Sequence, residues 1–382
     1  MSNAVTRKEA YLKSIGDGTS SALKPITREE QYLAYIAGDT NSFPLEPITR
    51  EEAFLDKIAK SGAGGGGSSG GGGDDVVNAL IDRSISGDFR SNCESVGMYA
   101  FYKCQNLENI TIPNATHIHD YAFSQSGIKS VNAPNITGAG SYIFSDCKSL
   151  KEASFNNLLT AGQNMFAACS ELTNVSMPNL TKISAYAFKN CSKFHGEFPY
   201  VTSVDMYAFQ SAGQTSVTVK EFPKLTTVGA AAFQYAYSVE LVDTPIITTI
   251  SSSAFRNCRT LKTIKLPNIQ KFADDGASYC DILETVDTGA TDIRYFAFRY
   301  SYSFKTLILR SNTLCTLNKT DAFTNCYHFH GTVNETYNPN GDKDGYIYVP
   351  KALVEDYKVA TNWATFADQF RAIEDYPEIT GG

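Results

Sequence analysis

Residues 254–268, Ala254-Phe-Arg-Asn-Cys-Arg-Thr-Leu-Lys-Thr-Ile-Lys-Leu-Pro-Asn268, contain the pattern that decides the fold of this chain. Leu261, Ile264 and Leu266 follow the Leu-x-x-Leu-x-Leu frame, in which each repeat forms one short strand. Pro267 ends the strand, because proline has no N–H to give to a strand ladder. The stretch therefore predicts one coil of a repeated β structure.

The same unit recurs along most of the chain. Phenylalanine returns every 21 to 25 residues, apart from one gap of 43 in which Ala277 takes its place. These phenylalanines are Phe101, Phe123, Phe144, Phe166, Phe188, Phe209, Phe233, Phe255, Phe298 and Phe323. Three residues later stands Cys104, Cys147, Cys169, Cys191, Cys258, Cys280 or Cys326. A period near 22 residues predicts a mainly β solenoid of about ten or eleven coils, with the cysteines in a reduced core column.

Composition and charge restrict the classes of function. The net charge of -7 and the pI near 5.4 argue against sequence-independent binding of nucleic acid or anionic lipid, since both need a basic surface. No apolar run reaches the roughly 18 residues of a membrane span, so membrane insertion is not expected. Residues 1–20 lack the apolar core of a secretory signal. We therefore expect the chain to stay in the cytosol of its cell, or to leave by a route other than secretion.

Four segments divide the chain. Residues 1–61 form a predicted helical anchor of three short repeats, and residues 62–75 a Gly/Ser linker. Residues 76–336 form the solenoid, and residues 337–382 a C-terminal cap. In the cap, Tyr346-Ile-Tyr-Val-Pro350 is predicted to be a closing strand, and Lys351 to Ala372 an amphipathic helix. A stacked array needs such a cap because its last coil otherwise exposes core.

The anchor repeats carry helix-start signals. Thr6, Thr27 and Thr49 are each followed three residues later by Glu, which is the capping-box pattern. Spacings of three and four then place apolar residues on one face of each predicted helix. These residues are Tyr11, Leu12, Ile15, Tyr32, Leu33, Ile36, Phe54, Leu55 and Ile58. Two interpretations stay open: a small three-helix unit, or stripes that dock on a partner or on copies of themselves.

The repeat resembles the BspA-type leucine-rich-repeat family. The resemblance rests on the Ala-Phe pair, on the Asn-Cys step at Asn190-Cys191, Asn257-Cys258 and Asn325-Cys326, and on the strand exit Leu266-Pro267-Asn268. It covers nearly all of residues 95–329, and the end of the chain is similar to the C-terminal cap of that family. Ala277 in place of Phe, and Ser126 and Ser301 in place of Cys, depart from the pattern.

The N-terminal Ile-Thr-Arg-Glu-Glu units followed by polyglycine are similar to the leading segments of phage and prophage tail and baseplate proteins. This resemblance covers about 60 residues. It implies a non-enzymatic virion attachment protein, assembled in the bacterial cytoplasm, whose helices contact other virion proteins. Its solenoid would then present a surface to a host protein or glycan. The alternative is an adhesin or interaction module at a bacterial cell surface.

Six tyrosines form the predicted binding site. The family pattern itself prefers tyrosine two residues before the phenylalanine position. Tyr235, Tyr279 and Tyr300 instead stand two residues after it, and Tyr237, Tyr302 and Tyr327 four residues after it. Tyrosine combines a large contact area with a hydrogen-bonding hydroxyl, which suits recognition of protein or sugar. The alternative is that these residues only fill the loops of wider coils.

Other candidate chemistry is weak. His328 and His330, with Cys326 ahead, resemble metal ligands on an extended segment, but repeat register directs the cysteine inward and the histidines outward. The stretch Asn340 to Gly345 resembles a calcium loop, yet Lys351 stands where a glutamate ligand is needed. Motifs of nucleophilic or phosphate chemistry are missing from the sequence. No cofactor, metal or enzymatic activity is predicted.

Overall fold

The computed structural model describes residues 85–214, 216–218 and 220–380. The predicted anchor and linker, with the docking residues from Tyr11 to Ile58, lie outside the described residues. The described chain winds into a stack of coils, and each coil has three sides. We name them the long-strand side, the short-strand side and the turn side; residues 252–257 are the turn side of one coil.

The long-strand side consists of two parallel sheets. Leu107, Ile110 and Ile112 illustrate why each strand forms here, since all three are buried and alternate with outward polar residues. The first sheet comprises β1 Gly87–Arg90, β3 Leu107–Thr111, β5 Ser130–Asn132, β7 Glu152–Ser154 and β9 Asn174–Ser176. The second comprises β12 Ser216–Thr218, β14 Leu241–Asp243, β16 Thr263–Leu266, β18 Thr285–Thr288, β20 Thr306–Leu309, β22 Tyr346–Val349 and β23 Phe370–Ala372.

The short-strand side consists of strands of two residues, each with its second residue facing the core. The strands of its three sheets are β2 Ser95–Val96, β4 His117–Ile118, β6 Gly138–Ala139, β8 Thr160–Ala161, β10 Lys182–Ile183, β11 Ser203–Val204, β13 Thr227–Val228, β15 Thr249–Ile250, β17 Lys271–Phe272, β19 Asp292–Ile293 and β21 Thr316–Leu317. All pairs are parallel and in register, as in Lys182 with Ser203.

The number of coils exceeds the prediction. The long-strand side carries twelve strands, and one further coil at residues 194–198 has no strand, so about thirteen coils stack rather than ten or eleven. The extra coils lie at the two ends. The first, at Gly87–Arg90, precedes the phenylalanine repeats, and the last two, β22 and β23, belong to the region predicted as cap. The parallel solenoid itself is confirmed.

A column of phenylalanine rings fills the core behind the turn side. Neighbouring rings stack with centroids 5.0 Å apart for Phe101 and Phe123, and 5.3 Å apart for Phe188 and Phe209. The column is interrupted at Ala277, where Phe272 replaces the usual small aliphatic residue and its ring lies 4.7 Å from that of Phe298. The two positions have exchanged large and small side chains, which keeps the core filled.

The cysteine column is a ladder of thiol hydrogen bonds. From Cys147 onward, each thiol of the column donates to the carbonyl oxygen of the phenylalanine position one coil earlier, as Cys191 does to Phe166 at 3.0 Å and Cys258 to Phe233 at 3.1 Å. Ser301 occupies the same position and donates to the carbonyl of Ala277 at 3.0 Å. Both residue types supply a small donor at this position, which explains why serine replaces cysteine there. All nine cysteines are free thiols.

A buried glutamine lies where the long-strand ladder is interrupted. Between β9 and β12, the N–H of Gly196 donates to the side-chain oxygen of Gln214 at 3.1 Å, and the Gln214 amide donates back to the Gly196 carbonyl at 3.2 Å. Gln214 is fully buried. Its amide thus replaces the peptide group that a strand would present. The short-strand ladder runs on unbroken past the same coil through β10, β11 and β13.

The C-terminal region has the predicted closing strand, but its helix is much shorter than predicted. The predicted helix from Lys351 to Ala372 is in fact a 3-10 turn at Lys351–Leu353, helix α2 at Val354–Val359, a 3-10 segment at Ala364–Gln369 and strand β23. The apolar spacing favoured a helix, but the last residues add a strand to the sheet instead. The remaining elements are the 3-10 turns Thr320–Phe323 and Ile373–Asp375 and the helices α1 Tyr327–His330 and α3 Pro377–Thr380.

Cap side chains seal the end of the short-strand side. The indole of Trp363 donates to the carbonyl of Cys315 at 2.7 Å, and the N–H of Cys315 donates to the hydroxyl of Tyr357 at 2.8 Å. Asn362 donates to the carbonyl of Leu317 at 2.7 Å. These bonds satisfy backbone groups next to the edge strand β21, while Trp363 and Tyr357 are themselves buried.

Over the described ranges, no helix has the length and apolar character to cross a membrane.

Candidate functional site: a tyrosine edge on the turn side

Two residues in almost every turn have a left-handed backbone. They stand two before and two after the phenylalanine position, and the second set includes Tyr235, Tyr279 and Tyr300, with φ of 58°, 59° and 61°. The conformation is imposed by a ladder between turns, since the N–H of Tyr279 donates to the carbonyl of Arg299 at 2.8 Å. Asparagine tolerates this conformation better than other residues with side chains.

The structure brings four of the six predicted tyrosines together. The rings of Tyr279 and Tyr300 stack at 4.7 Å, and those of Tyr302 and Tyr327 at 5.1 Å. Tyr300 and Tyr302 meet edge to face at 6.3 Å, which joins the two stacks. The other two, Tyr235 and Tyr237, form a separate edge-to-face pair at 6.0 Å, one intervening coil away.

A fifth tyrosine, Tyr337, belongs to the same cluster and was not predicted. Its ring lies 4.8 Å from that of Tyr302. It comes from the long final coil, where buried Asn338 accepts a hydrogen bond from the N–H of Asp342 and donates to the carbonyl of Tyr327. No repeat signal reaches this loop, so sequence spacing could not identify it. We name Tyr279, Tyr300, Tyr302, Tyr327 and Tyr337 the tyrosine cluster.

The hydroxyl groups of the cluster and of the Tyr235–Tyr237 pair are available to a partner. Tyr237 is 49% exposed, and the other rings are half-buried. Within the described residues, none of the seven hydroxyls takes part in a hydrogen bond, and none is among the buried polar atoms. They therefore reach solvent.

Two arginines lie beside the cluster. The guanidinium groups of Arg256 and Arg299 lie 5.2 and 5.4 Å from the centre of the Tyr279 ring. Arg299 is also paired with Asp275 at 3.2 Å. Burial raises the pKa of the Tyr302 phenol, and neighbouring Tyr327 and Asp281 raise it further, so that hydroxyl stays protonated at neutral pH. The cluster can donate and accept hydrogen bonds, and it contains no activated nucleophile.

The other candidate residues do not assemble a chemical site. His328 and His330 lie in the helical turn α1, not on an extended segment, because the final coil is wider than the others. The Nδ1 atom of His328 lies 2.5 Å from Asp344, and the Nε2 atom of His330 lies 3.0 Å from the carbonyl of Phe323. Asn340 donates to Asp342 within a polar turn. In the part of the chain that the structure describes, no group of three His, Cys, Asp or Glu residues is arranged to hold a metal.

Comparison with solved structures returned leucine-rich repeat proteins among the similar chains. Similar solved structures include a leucine-rich repeat protein from Bacteroides ovatus, with 18% identity, coverage of 76% of this chain and 85% of that chain, and a TM-score of 0.49. A leucine-rich repeat protein from Eubacterium ventriosum has 20% identity, coverage of 72% and 84%, and a TM-score of 0.39. The pneumococcal vaccine antigen PcpA has 14% identity, coverage of 75% and 76%, and a TM-score of 0.37. A search of curated proteins returned no significant match.

The family comparison is more decisive than these structural likenesses. The profile of the BspA type leucine rich repeat region matches residues 84–195 and 199–330 in six copies. The match begins at residue 84, so it leaves out the predicted anchor and linker. It falls on the coils described above and spans more than half of the chain. The chain therefore belongs to the BspA-type leucine-rich-repeat family.

Proposed function

We propose that this chain is a non-enzymatic interaction module displayed at a bacterial cell surface, where its tyrosine cluster binds a partner. Proteins with BspA-type repeats are often bacterial surface proteins, and leucine-rich-repeat solenoids are typically interaction modules. An elongated stack suits this role, because one side of it can contact a partner over several coils at once.

The observation that carries the proposal is tyrosine at a left-handed backbone position. A left-handed residue with a side chain costs roughly 1–2 kcal/mol, and asparagine relieves part of that cost through local hydrogen bonds. Asn190, Asn257 and Asn325 occupy the same position in other coils, with φ near 60°. Tyr279 and Tyr300 take the place of this better-tolerated residue type in their own coils, and, unlike a side chain that serves the fold, their hydroxyls are used by no other described residue. Such a replacement supports a role outside the fold.

The test uses a triple variant, Tyr279→Asn, Tyr300→Asn and Tyr302→Asn, in the full chain. Labelled protein is measured for binding to epithelial cells and to bacterial cells, and we expect the variant to lose binding with little change in melting temperature. A matched control is Tyr186→Asn with Tyr207→Asn, which removes a similar stack with centroids 5.0 Å apart from the other edge of the turn. Equal binding by the triple variant, or no binding by the native chain, contradicts the proposal.

A second candidate function is supported by the N-terminal sequence alone. The three Thr-Arg-Lys/Glu-Glu units and the polyglycine that follows are similar to leading segments of phage tail and baseplate proteins. In that case the anchor binds virion proteins and the solenoid is carried on the particle. Replacing Leu12, Leu33 and Leu55 with Asp places charge on the predicted docking faces. We expect loss of particle incorporation with the solenoid still folded; normal incorporation contradicts docking.

A further inference from the structure

The tyrosine cluster and the Tyr235–Tyr237 pair together form what we call the tyrosine edge. We propose that its ligand is an extended β-1,4-linked polysaccharide, bound with one sugar to each coil. This inference rests on the proposed function and specifies the partner that the same site binds. The inference follows from the spacing, the orientation and the hydrogen-bonding chemistry of the side chains along this edge.

Five consecutive coils each contribute one polar side chain to a straight track. These side chains stand four residues after the phenylalanine position, and in coil order they are Tyr237, Arg259, Asp281, Tyr302 and Tyr327. All five are exposed or half-buried. Arg259 and Asp281 contact each other across adjacent coils at 3.6 Å. The track therefore has a hydrogen-bonding group at every coil along its length.

The spacing of the track is fixed by the fold. Backbone hydrogen bonds join each turn to the next, as Tyr235 to Arg256 at 2.9 Å and Tyr300 to Thr324 at 2.8 Å. The stacked rings show the distance between neighbouring coils, with centroids 4.7 Å apart for Tyr279 and Tyr300 and 5.1 Å apart for Tyr302 and Tyr327. A ligand with the same repeat can meet every coil with an equivalent chemical unit.

An extended β-1,4-linked sugar chain advances by close to one coil spacing per pyranose. Successive rings are turned by about half a turn, so each coil meets one ring and equivalent groups recur at every second coil. An extended peptide does not match, since it rises about 3.3 Å per residue and returns a side chain to the same face only every ~6.6 Å. A peptide would therefore drift out of step with the side chains within two coils. The geometry favours the sugar polymer over the peptide.

The chemistry of the track also suits sugar hydroxyls. Stacked rings cover one another's faces, so Tyr302 and Tyr327 offer ring edges and hydroxyls rather than open platforms. A phenol both donates and accepts hydrogen bonds, while Arg259 donates and Asp281 accepts. At the same position the N-terminal coils hold Gln105, Gly127, Lys148, Ser170, Ser192 and Gly213, so this part of the solenoid has no tyrosine there and lacks a side chain at two of its coils. The binding surface is therefore confined to the C-terminal coils.

The experiment is calorimetric titration of the full chain with β-1,4-linked N-acetylglucosamine oligomers of two to eight units. We expect affinity to rise roughly two- to tenfold for each added sugar, the factor that one net hydrogen bond supplies, and to level off at about five units. Tyr237→Ser removes one end of the track and should shorten that limit by about one sugar. Tyr200→Ser is the matched control, because Tyr200 is 47% exposed and stands outside the track. α-1,4-linked glucose oligomers, which do not extend with this rise, should show no such length dependence.

Three outcomes overturn the inference: no binding of the β-1,4-linked oligomers, affinity independent of their length, or equal binding of the α-1,4-linked series. Tyrosine-dependent binding to cells that persists without oligomer binding refutes the polysaccharide and leaves the interaction module standing. Loss of both refutes the two together.

Discussion

The N-terminal and C-terminal coils carry their tyrosines on opposite edges of the turn. In the first coils, Tyr99, Tyr121 and Tyr142 stand two residues before the phenylalanine position and stack at 4.9 and 4.7 Å. From Tyr235 onward, tyrosine stands two residues after that position. Both sets have the same left-handed backbone, with φ of 57° for Tyr121 and 59° for Tyr279. The fold thus fixes the strained positions of the turn, and the side chains placed on them distinguish one half of the solenoid from the other.

The largest expected effect is a loss of folding stability at high pH, which the N-terminal and C-terminal coils share. Burial raises the pKa of the Cys147 thiol to about 12 and places those of Cys191 and Cys258 still higher. The folded state therefore holds these protons more tightly than the unfolded state, whose thiols titrate near 9.0. Stability is full below about pH 9 and falls as the pH rises toward the folded value, by about 4 kcal/mol at pH 12 for Cys147 alone.

Urea unfolding followed by circular dichroism at pH 7, 9, 10 and 11 measures this loss. We expect the free energy of unfolding to fall steadily above pH 9, with both halves affected because both contain the thiol column. In denaturant without reductant, all nine thiols should titrate. A free energy of unfolding that is constant to pH 11, or a thiol count of five or fewer, contradicts the reduced column.

The next largest effect is a loss of stability that begins in the C-terminal coils. Trp363→Ala removes a buried ring that contacts Tyr357 and Phe366, together with the bond to Cys315. We expect a cost of about 3–5 kcal/mol, with hydrogen exchange rising first in the C-terminal coils that carry the tyrosine cluster. Val359→Ala, in the same cap but 81% exposed, is the control and should change stability by less than about 0.5 kcal/mol. Uniform exchange along the solenoid after Trp363→Ala would contradict end-specific opening.

A smaller effect is expected at the boundary between the halves. Gln214→Leu leaves the backbone N–H and carbonyl of Gly196 without their partner, at a cost of about 1–3 kcal/mol. Trp363 is the single tryptophan and reports only on the C-terminal half, whereas circular dichroism reports on both. In this variant we expect the two probes to give different urea midpoints. Gln210→Leu, which removes an accessible side-chain pair with Gln234, should keep them coincident.

The smallest effect sharpens the comparison of the two tyrosine edges. Tyr279→Asn with Tyr300→Asn removes one stack and the edge contact with Tyr302, each worth about 0.5–1.5 kcal/mol, together with the arginine contacts of the Tyr279 ring. It also relieves backbone strain of roughly 1–2 kcal/mol at each of two residues, which offsets these losses. The melting temperature should therefore hardly change. Tyr121→Asn removes two stacking contacts from the middle of a three-ring column and should cost more. An equal loss of stability at both edges would show that the C-terminal tyrosines serve the fold as much as the N-terminal ones.

The sequence predicts the features that recur and misses those that occur once. The strand frame, the phenylalanine column and the inward cysteines follow from a fixed period, and each is found where the period places it. Ala277 departs from the pattern in the sequence, but only the structure shows that the ring of Phe272 fills the space and contacts Phe298 of the next coil. Tyr337 and Gln214 have no repeat partner to mark them.

The candidate site was predicted in part for the same reason. Period alone selected six tyrosines, but it could not reveal which rings contact one another or that Tyr337 joins them. The left-handed backbone had a signal in the sequence, since Asn190, Asn257 and Asn325 share one position of the repeat. Lys351 to Ala372 were predicted as one helix after the closing strand because their apolar spacing fits one, although Phe370 to Ala372 pair with β22 as a strand.

The interrupted coil at Gly196 has a consequence for a molecule under tension. The hydrogen bonds between coils run along the axis of the solenoid, so a pull from its two ends loads them directly, one coil after another. At residues 194–198 the long-strand side has the Gln214 amide and one backbone bond, from the N–H of Phe198 to the carbonyl of Glu221, where its neighbours have a strand ladder. We expect a stretched molecule to part there first. The C-terminal coils would then stay folded and keep the tyrosine edge bound to the ligand, while the coils before Gly196 unfold and take up the extension.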